Sequence, residues 1–162
     1  MKIIVEDEKI MTTFPFDPIA RWWVNSRTTN RSYDSLISAL EKGVKKAERA
    51  FAKRHTDKYH AIWTHTIGIE IWSQKKLATV LGEPDGAEDY DPYRPPKDTA
   101  WDDILPLFKQ ARQDTIALAK RLAEANLDKD VVVHHKGWGN LTVKGWLLYI
   151  ETHTDIEFDK IF

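Results

Sequence analysis

Apolar residues recur at intervals of three and four through four long stretches of this chain, a spacing that commits most of it to amphipathic helices. Residues 32–54 carry Leu36, Ile37, Leu40, Val44, Ala47 and Phe51 on one side, with Lys, Arg and Glu elsewhere. Gly43 weakens that helix by about 1 kcal/mol relative to Ala, which packing can absorb. Residues 56–81 predict a second helix, capped by Thr56 or Asp57 and stopped by Gly82 and Pro84. Its apolar residues, among them Trp63, Ile67, Ile69, Ile71 and Trp72, spread around most of the circumference, so it is expected to be central. Residues 98–126 predict a third, capped by Asp98 or Thr99, with Pro106 as a kink or an irregular start. Residues 141–162 predict the last, capped by Thr142.

The segments between these helices fill in the plan. Residues 83–97, rich in Pro, Gly and acids, form a long crossover that brings Tyr90, Tyr93 and Arg94 as possible cover for a pocket, or is simply solvated. Residues 131–135 are β-branched and lead into a Lys136-Gly137-Trp138-Gly139-Asn140 turn, a short hairpin before the last helix. Near the N-terminus, residues 2–5 could form a short strand. Asp17 and Pro18 then suit the start of a short helix through Ile19, Trp22 and Trp23, with residues 25–31 a turn or weak continuation. Four long helices with one long connection read as an all-α four-helix bundle. A chain of 162 residues is expected to make one domain, 1–162, with 1–17 as an N-terminal extension.

Composition narrows the functions. A net charge of −1 argues against a dedicated nucleic-acid binder. With no cysteine, thiolate metal ligands, disulfides and cysteine nucleophiles are eliminated, so any metal site must use His, Asp or Glu. No apolar run approaches the roughly 20 residues of a membrane span. The acidic start, MKIIVEDEKI, is unlike a signal peptide, which points to the cytoplasm. Seven tryptophans supply large buried area or line a pocket; Trp72 and Trp146, with Tyr93, are the pocket candidates.

The last helix contains the strongest chemical clue. Val143, Trp146, Leu147 and Ile150 make an inward stripe that, continued by threes and fours, reaches His153 and Glu157. On the second helix, His65 interrupts the stripe Ile62, Ile69, Trp72. Two His and one carboxylate from facing helices can hold a divalent transition metal: zinc, nickel, iron or manganese. The competing readings are a surface ion pair, worth about 0.3 kcal/mol, and an ordinary core histidine. The more specific HExxH pattern is absent.

Weaker candidates surround this set. His134 and His135 are strand neighbours pointing to opposite faces, so one at least is expected at the surface. Glu70 lies about 140° round the helix from His65 and is expected to hydrogen-bond another helix. Asp155 and Asp159 are expected in solvent, as are His55, His60 and the basic runs at 42–46 and 53–54.

Residues 65–84, HTIGIEIWSQKKLATVLGEP, and later GNLTVKGWLLYIETHTDIEFDKI resemble the DinB-like (DinB/YfiT-like) superfamily of metalloenzymes. The resemblance lies in the His-x4-Glu of a central helix (His65, Glu70), the hairpin, the Thr-capped final helix, and a His-x3-His position near its end. It covers residues 30–162. It implies an up-down-down-up bundle, often a homodimer, with a divalent metal on His65, His153 and position 157. Here Glu157 stands where the family usually has His; a carboxylate can still bind the metal, and the change equally suits a member that has lost it. The implied function is a metal-dependent hydrolase or thiol-dependent transferase acting on a small molecule. The alternative is a non-catalytic bundle that binds or sequesters a small molecule, its metal site empty or structural.

Overall fold

The computed structural model describes residues 17–162, and the possible strand at 2–5 lies outside them. The fold is mainly helical. The elements are α1 (Asp17–Thr28), α2 (Tyr33–Phe51), α3 (Asp57–Ala78), α4 (Trp101–Glu124), the antiparallel pair β1 (Val132–His135) and β2 (Gly139–Thr142), and α5 (Val143–Asp159). No helix among the described residues is long and apolar enough to cross a membrane.

Local chemistry sets most boundaries. Ser32, Thr56 and Thr142 each accept a backbone N–H three residues on, from Ser35, Tyr59 and Gly145, and so start α2, α3 and α5. The third cap differs from expectation. Helix α4 begins at Trp101 behind Ala100, which offers no side-chain cap, while the Thr99 hydroxyl donates to Pro96 O. Pro106 sits inside α4, where its missing N–H removes one bond from the second turn. Helix α3 tightens into a 3-10 turn, Thr79–Leu81, and ends on Gly82 at φ 85°, a conformation that glycine adopts without strain. Leu141 and Thr142, expected at the start of the last helix, belong instead to β2.

Four long helices surround the core. Contacts between α3 and α4 advance together along both chains: Trp63 meets Phe108, Glu70 meets Arg112, and Gln74 meets Ala111 and Thr115. These two helices therefore run the same way. Between α3 and α5 the order reverses, from Trp63 on Phe158 through His65 on His153 to Trp72 on Trp146. Helix α2 closes the ring against α4 and α5 through Glu48–Lys109 and Lys46–Asp155. Helix α1 lies on α5 and β2, with Val24 buried but Ile19 and Trp22 facing outward, at 58% and 68% exposure.

A buried polar node ties these helices together. Glu70 accepts from Arg112 Nε at 2.7 Å and Nη2 at 3.0 Å, and its Oε1 accepts from the Thr115 hydroxyl at 2.8 Å. Arg112 also donates to Leu40 O on α2 and to the Thr154 hydroxyl on α5. Glu70 and Arg112 are effectively excluded from water, and every helix of the ring contributes an atom.

The long connection after α3 retraces that helix. Trp72 Nε1 donates to Ala87 O, Tyr90 packs over Gly68, Arg94 reaches Ala61 and Thr64, and His60 bonds Thr99 O. Gly68 is required for this fit, because a Cβ there would stand 2.7 Å from Arg94 Cγ and 3.3 Å from Tyr90 O.

Candidate metal centre

The antiparallel course of α3 and α5 sets His65 opposite His153. Their Nε2 atoms are 3.2 Å apart. Glu157, one turn further along α5, places Oε1 3.9 Å from His153 Nε2. One ligand atom from each of the three residues fits within a 4.8 Å cluster. Their sequence spacing along the two helices is thus converted into one face-to-face set.

Burial determines the protonation of the set. His65 is lowered to about 4, first by burial and then by the positive charges of Arg94 and Lys160. His153 is driven well below its usual range by burial, with His65 and Lys160 adding to the effect. Two neutral imidazoles at this distance share a single hydrogen bond, one N–H donating to the other ring's lone pair. Burial raises Glu157, while the hydrogen bond and charge of Lys160 pull it back. Lys160 donates to both Glu157 oxygens, at 2.7 and 2.8 Å.

The donor set fits a divalent ion. Two nitrogens bound at about 2.0–2.1 Å to one ion stand about 2.8–3.4 Å apart for angles between cis-octahedral and tetrahedral. The observed 3.2 Å lies in that interval. Both rings are neutral and can offer lone pairs, and a carboxylate has lone pairs enough for Lys160 and an ion together. One element of the usual design differs. His153 Nδ1 is buried and has no hydrogen-bond partner among the described residues, whereas a metal-bound histidine normally donates its second N–H.

The crossover loop forms the outer wall. The Tyr90 ring meets His65 edge-on at 4.7 Å, and the Arg94 guanidinium lies 5.9 Å from the Tyr90 ring. Arg94 Nη2 donates to the Thr64 hydroxyl at 3.1 Å and to Ala61 O at 3.4 Å, one turn before His65.

The other expected residues fall elsewhere. Trp72 and Trp146 are fully buried and pack on each other; their indole N–H groups are bonded to Ala87 O and Val133 O. The Tyr93 hydroxyl accepts from Ala87 N–H at 2.7 Å and holds the loop. Trp72 and Trp146 are thus enclosed in the core, and the partly buried Tyr93 braces the crossover loop. Glu70 bonds another helix, as expected. His134 is the exposed member of its pair, bonded to Asn140, whereas His135 is buried. His135 Nδ1 accepts from Gly137 and Trp138 N–H, which fixes its remaining proton on Nε2, and its ring packs on Trp72, Trp146 and Tyr149. His60 is half-buried on Thr99, and Lys46 is drawn from its basic run to pair with Asp155 and Asp159.

Sequence reasoning missed Lys160 and Arg112. The i, i+3 spacing of Glu157 and Lys160 on one helix was a usable signal for the first. For Arg112 there was only the general rule that a buried carboxylate needs a partner.

No protein-family model matches this chain, nor does any curated protein or any solved structure.

Proposed function

We propose that this chain is a DinB-like metalloprotein whose His65–His153–Glu157 set holds a divalent transition metal and acts on a small molecule, as a hydrolase or a thiol-dependent transferase. The observation carrying this reading is the 3.2 Å approach of two neutral imidazole nitrogens beside a carboxylate, in a water-poor site between α3 and α5. The shared direction of α3 and α4, the reversed direction of α5, the crossover after α3 and the hairpin before α5 support the up-down-down-up bundle that the resemblance implies.

A metal held by His65, His153 and Glu157 would act as a Lewis acid or lower the pKa of a bound water. The chain's own residues prepare the site for that. Burial keeps both imidazoles unprotonated near neutral pH. Burial pushes the Glu157 carboxyl above its usual range, and Lys160 partly opposes that shift and fixes the side chain's orientation. Tyr90 shields His65 and limits access from the loop side.

A non-catalytic binding or sequestering bundle is the second reading, and the Lys160 clasp on both Glu157 oxygens favours it, because an ammonium already neutralises the carboxylate. Metal analysis of protein purified without a polyhistidine tag separates the two. The metal reading expects about one transition-metal ion per chain, lost in both His65→Ala and His153→Ala. Full metal content in both variants, or no uptake by the parent chain, would sink it.

A further inference from the structure

Two cations stand at the candidate centre, and among the described residues its one buried carboxylate, Glu157, is already engaged by the first of them. Lys160 approaches from the end of α5 with two of its three N–H groups on Glu157. Arg94 approaches from the α3 side, held through Nη2 by Thr64 and Ala61. The charges of both reach the His65 ring. Their side chains are mostly covered but open to solvent, at 28% and 29% exposure.

The rest of the neighbourhood does little to offset this charge. Asp91 lies 3.9 Å from Arg94 Nη1, yet its side chain is 69% exposed and well screened. His65 and His153 are neutral. Among the described residues, buried Glu157 and the well-screened Asp91 are what offset Lys160, Arg94 and any divalent ion. A partly desolvated excess of positive charge is stabilised by an anion, and guanidinium and ammonium groups recognise oxyanions through charge-assisted hydrogen bonds.

We propose that the ligand of this centre is an oxyanion, a small molecule bearing a carboxylate or similar group, received between Arg94 and Lys160 at the edge of His65. This deepens the function proposed above and rests on the reading that the His65 set is the working site. Arg94 has the geometry for the role. Thr64 and Ala61 restrain one nitrogen, while Nε and Nη1 have no hydrogen bond to another described residue. Tyr90 supplies an aromatic edge beside the same position, suited to the apolar body of such a ligand.

Benzoate and its uncharged isostere benzamide test this directly. Both are titrated into the full chain, metal-free and zinc-loaded, with the His65 and Arg94 side-chain resonances as the readout. Benzoate is expected to bind at least about tenfold more tightly than benzamide, the equivalent of one charge-assisted hydrogen bond. Arg94→Gln and Lys160→Met should each weaken benzoate by about tenfold and leave benzamide unchanged, while Arg94→Lys keeps most of the preference. Equal binding of the two probes, unchanged benzoate affinity in both variants, or no saturable binding in either form would overturn the proposal. Failure of the metal reading shows separately, as absence of zinc uptake, and the metal-free titration still decides the anion question.

Discussion

Lys160 closes on Glu157 from three residues further along the chain, and its ammonium reaches both carboxylate oxygens of a side chain that is almost fully buried. This clasp opposes the rise that burial imposes on an isolated acid, and it places a cation beside the position a metal would take. Lys160→Met is therefore expected to have opposite effects on two measurements. The metal-free protein should lose about 1–3 kcal/mol, read by urea denaturation, because a buried carboxylate is left without its donor. Zinc affinity should rise about tenfold, since a neighbouring positive charge is removed. A variant with unchanged stability and unchanged zinc affinity would show that the clasp couples to neither.

Arg112 and Glu70 predict a larger effect. Removing either partner of a buried pair leaves the other charge uncompensated, at a cost of about 3–5 kcal/mol. Arg112→Met and Glu70→Leu should each fall in that range, whereas the double variant should cost clearly less than the sum. Strict additivity in a double-mutant cycle would contradict the coupling that the hydrogen bonds describe.

Stability should fall in mild acid for a specific reason. In the folded chain burial lowers His65 to about 4 and His135 to about 3, against an unfolded value near 6.5. Both rings are neutral when folded, so on acidification the unfolded chain takes up protons first. Their contribution is fully present above about 6.5. It is lost progressively as pH falls toward 4 for His65 and toward 3 for His135. Urea midpoints measured between pH 7.5 and 4.5 should decline, and the decline should be shallower in His135→Phe. An identical slope in that variant would mean that His135 titrates freely in the folded chain.

Gly68→Ala tests the loop wall. Alanine favours the helix by up to about 1 kcal/mol over glycine, but its Cβ meets Arg94 Cγ and Tyr90. Helix content should therefore hold while amide exchange in residues 83–97 accelerates. Unchanged exchange in that segment would show that the loop yields without leaving His65.

Much of this fold can be read locally. Ser32, Thr56 and Thr142 announce helix starts because an N-cap acts within three residues. His65, His153 and Glu157 could be grouped because each interrupts an apolar stripe, and stripes face one another in a helical core. Helix α1 shows the limit of that rule. Ile19 and Trp22, three residues apart, make one apolar stripe, yet both face water, since periodicity does not say which side finds a neighbour. Arg112 was illegible for a different reason, and Arg94 could be named only as possible cover for a pocket, without its partners. Each acts on groups 30 or more positions away, and an arginine on a helix or loop looks like any solvated charge until its partner's location is known. His135 depends on a turn geometry that places two backbone N–H groups on one ring nitrogen, and a two-strand pattern does not specify that.

The return path along α3 has an evolutionary consequence. Because α3 and α4 run the same way, the chain must travel back about 33 Å, the length of a 22-residue helix, before α4 can begin. Topology thus supplies an obligatory ribbon over His65, whose own side chains are free to vary. A descendant could exchange Tyr90 or Arg94 and acquire a different ligand preference without disturbing the three residues on the helices. In this architecture the loop over the candidate centre and the three residues of that centre sit on separate pieces of backbone, and each can drift at its own rate.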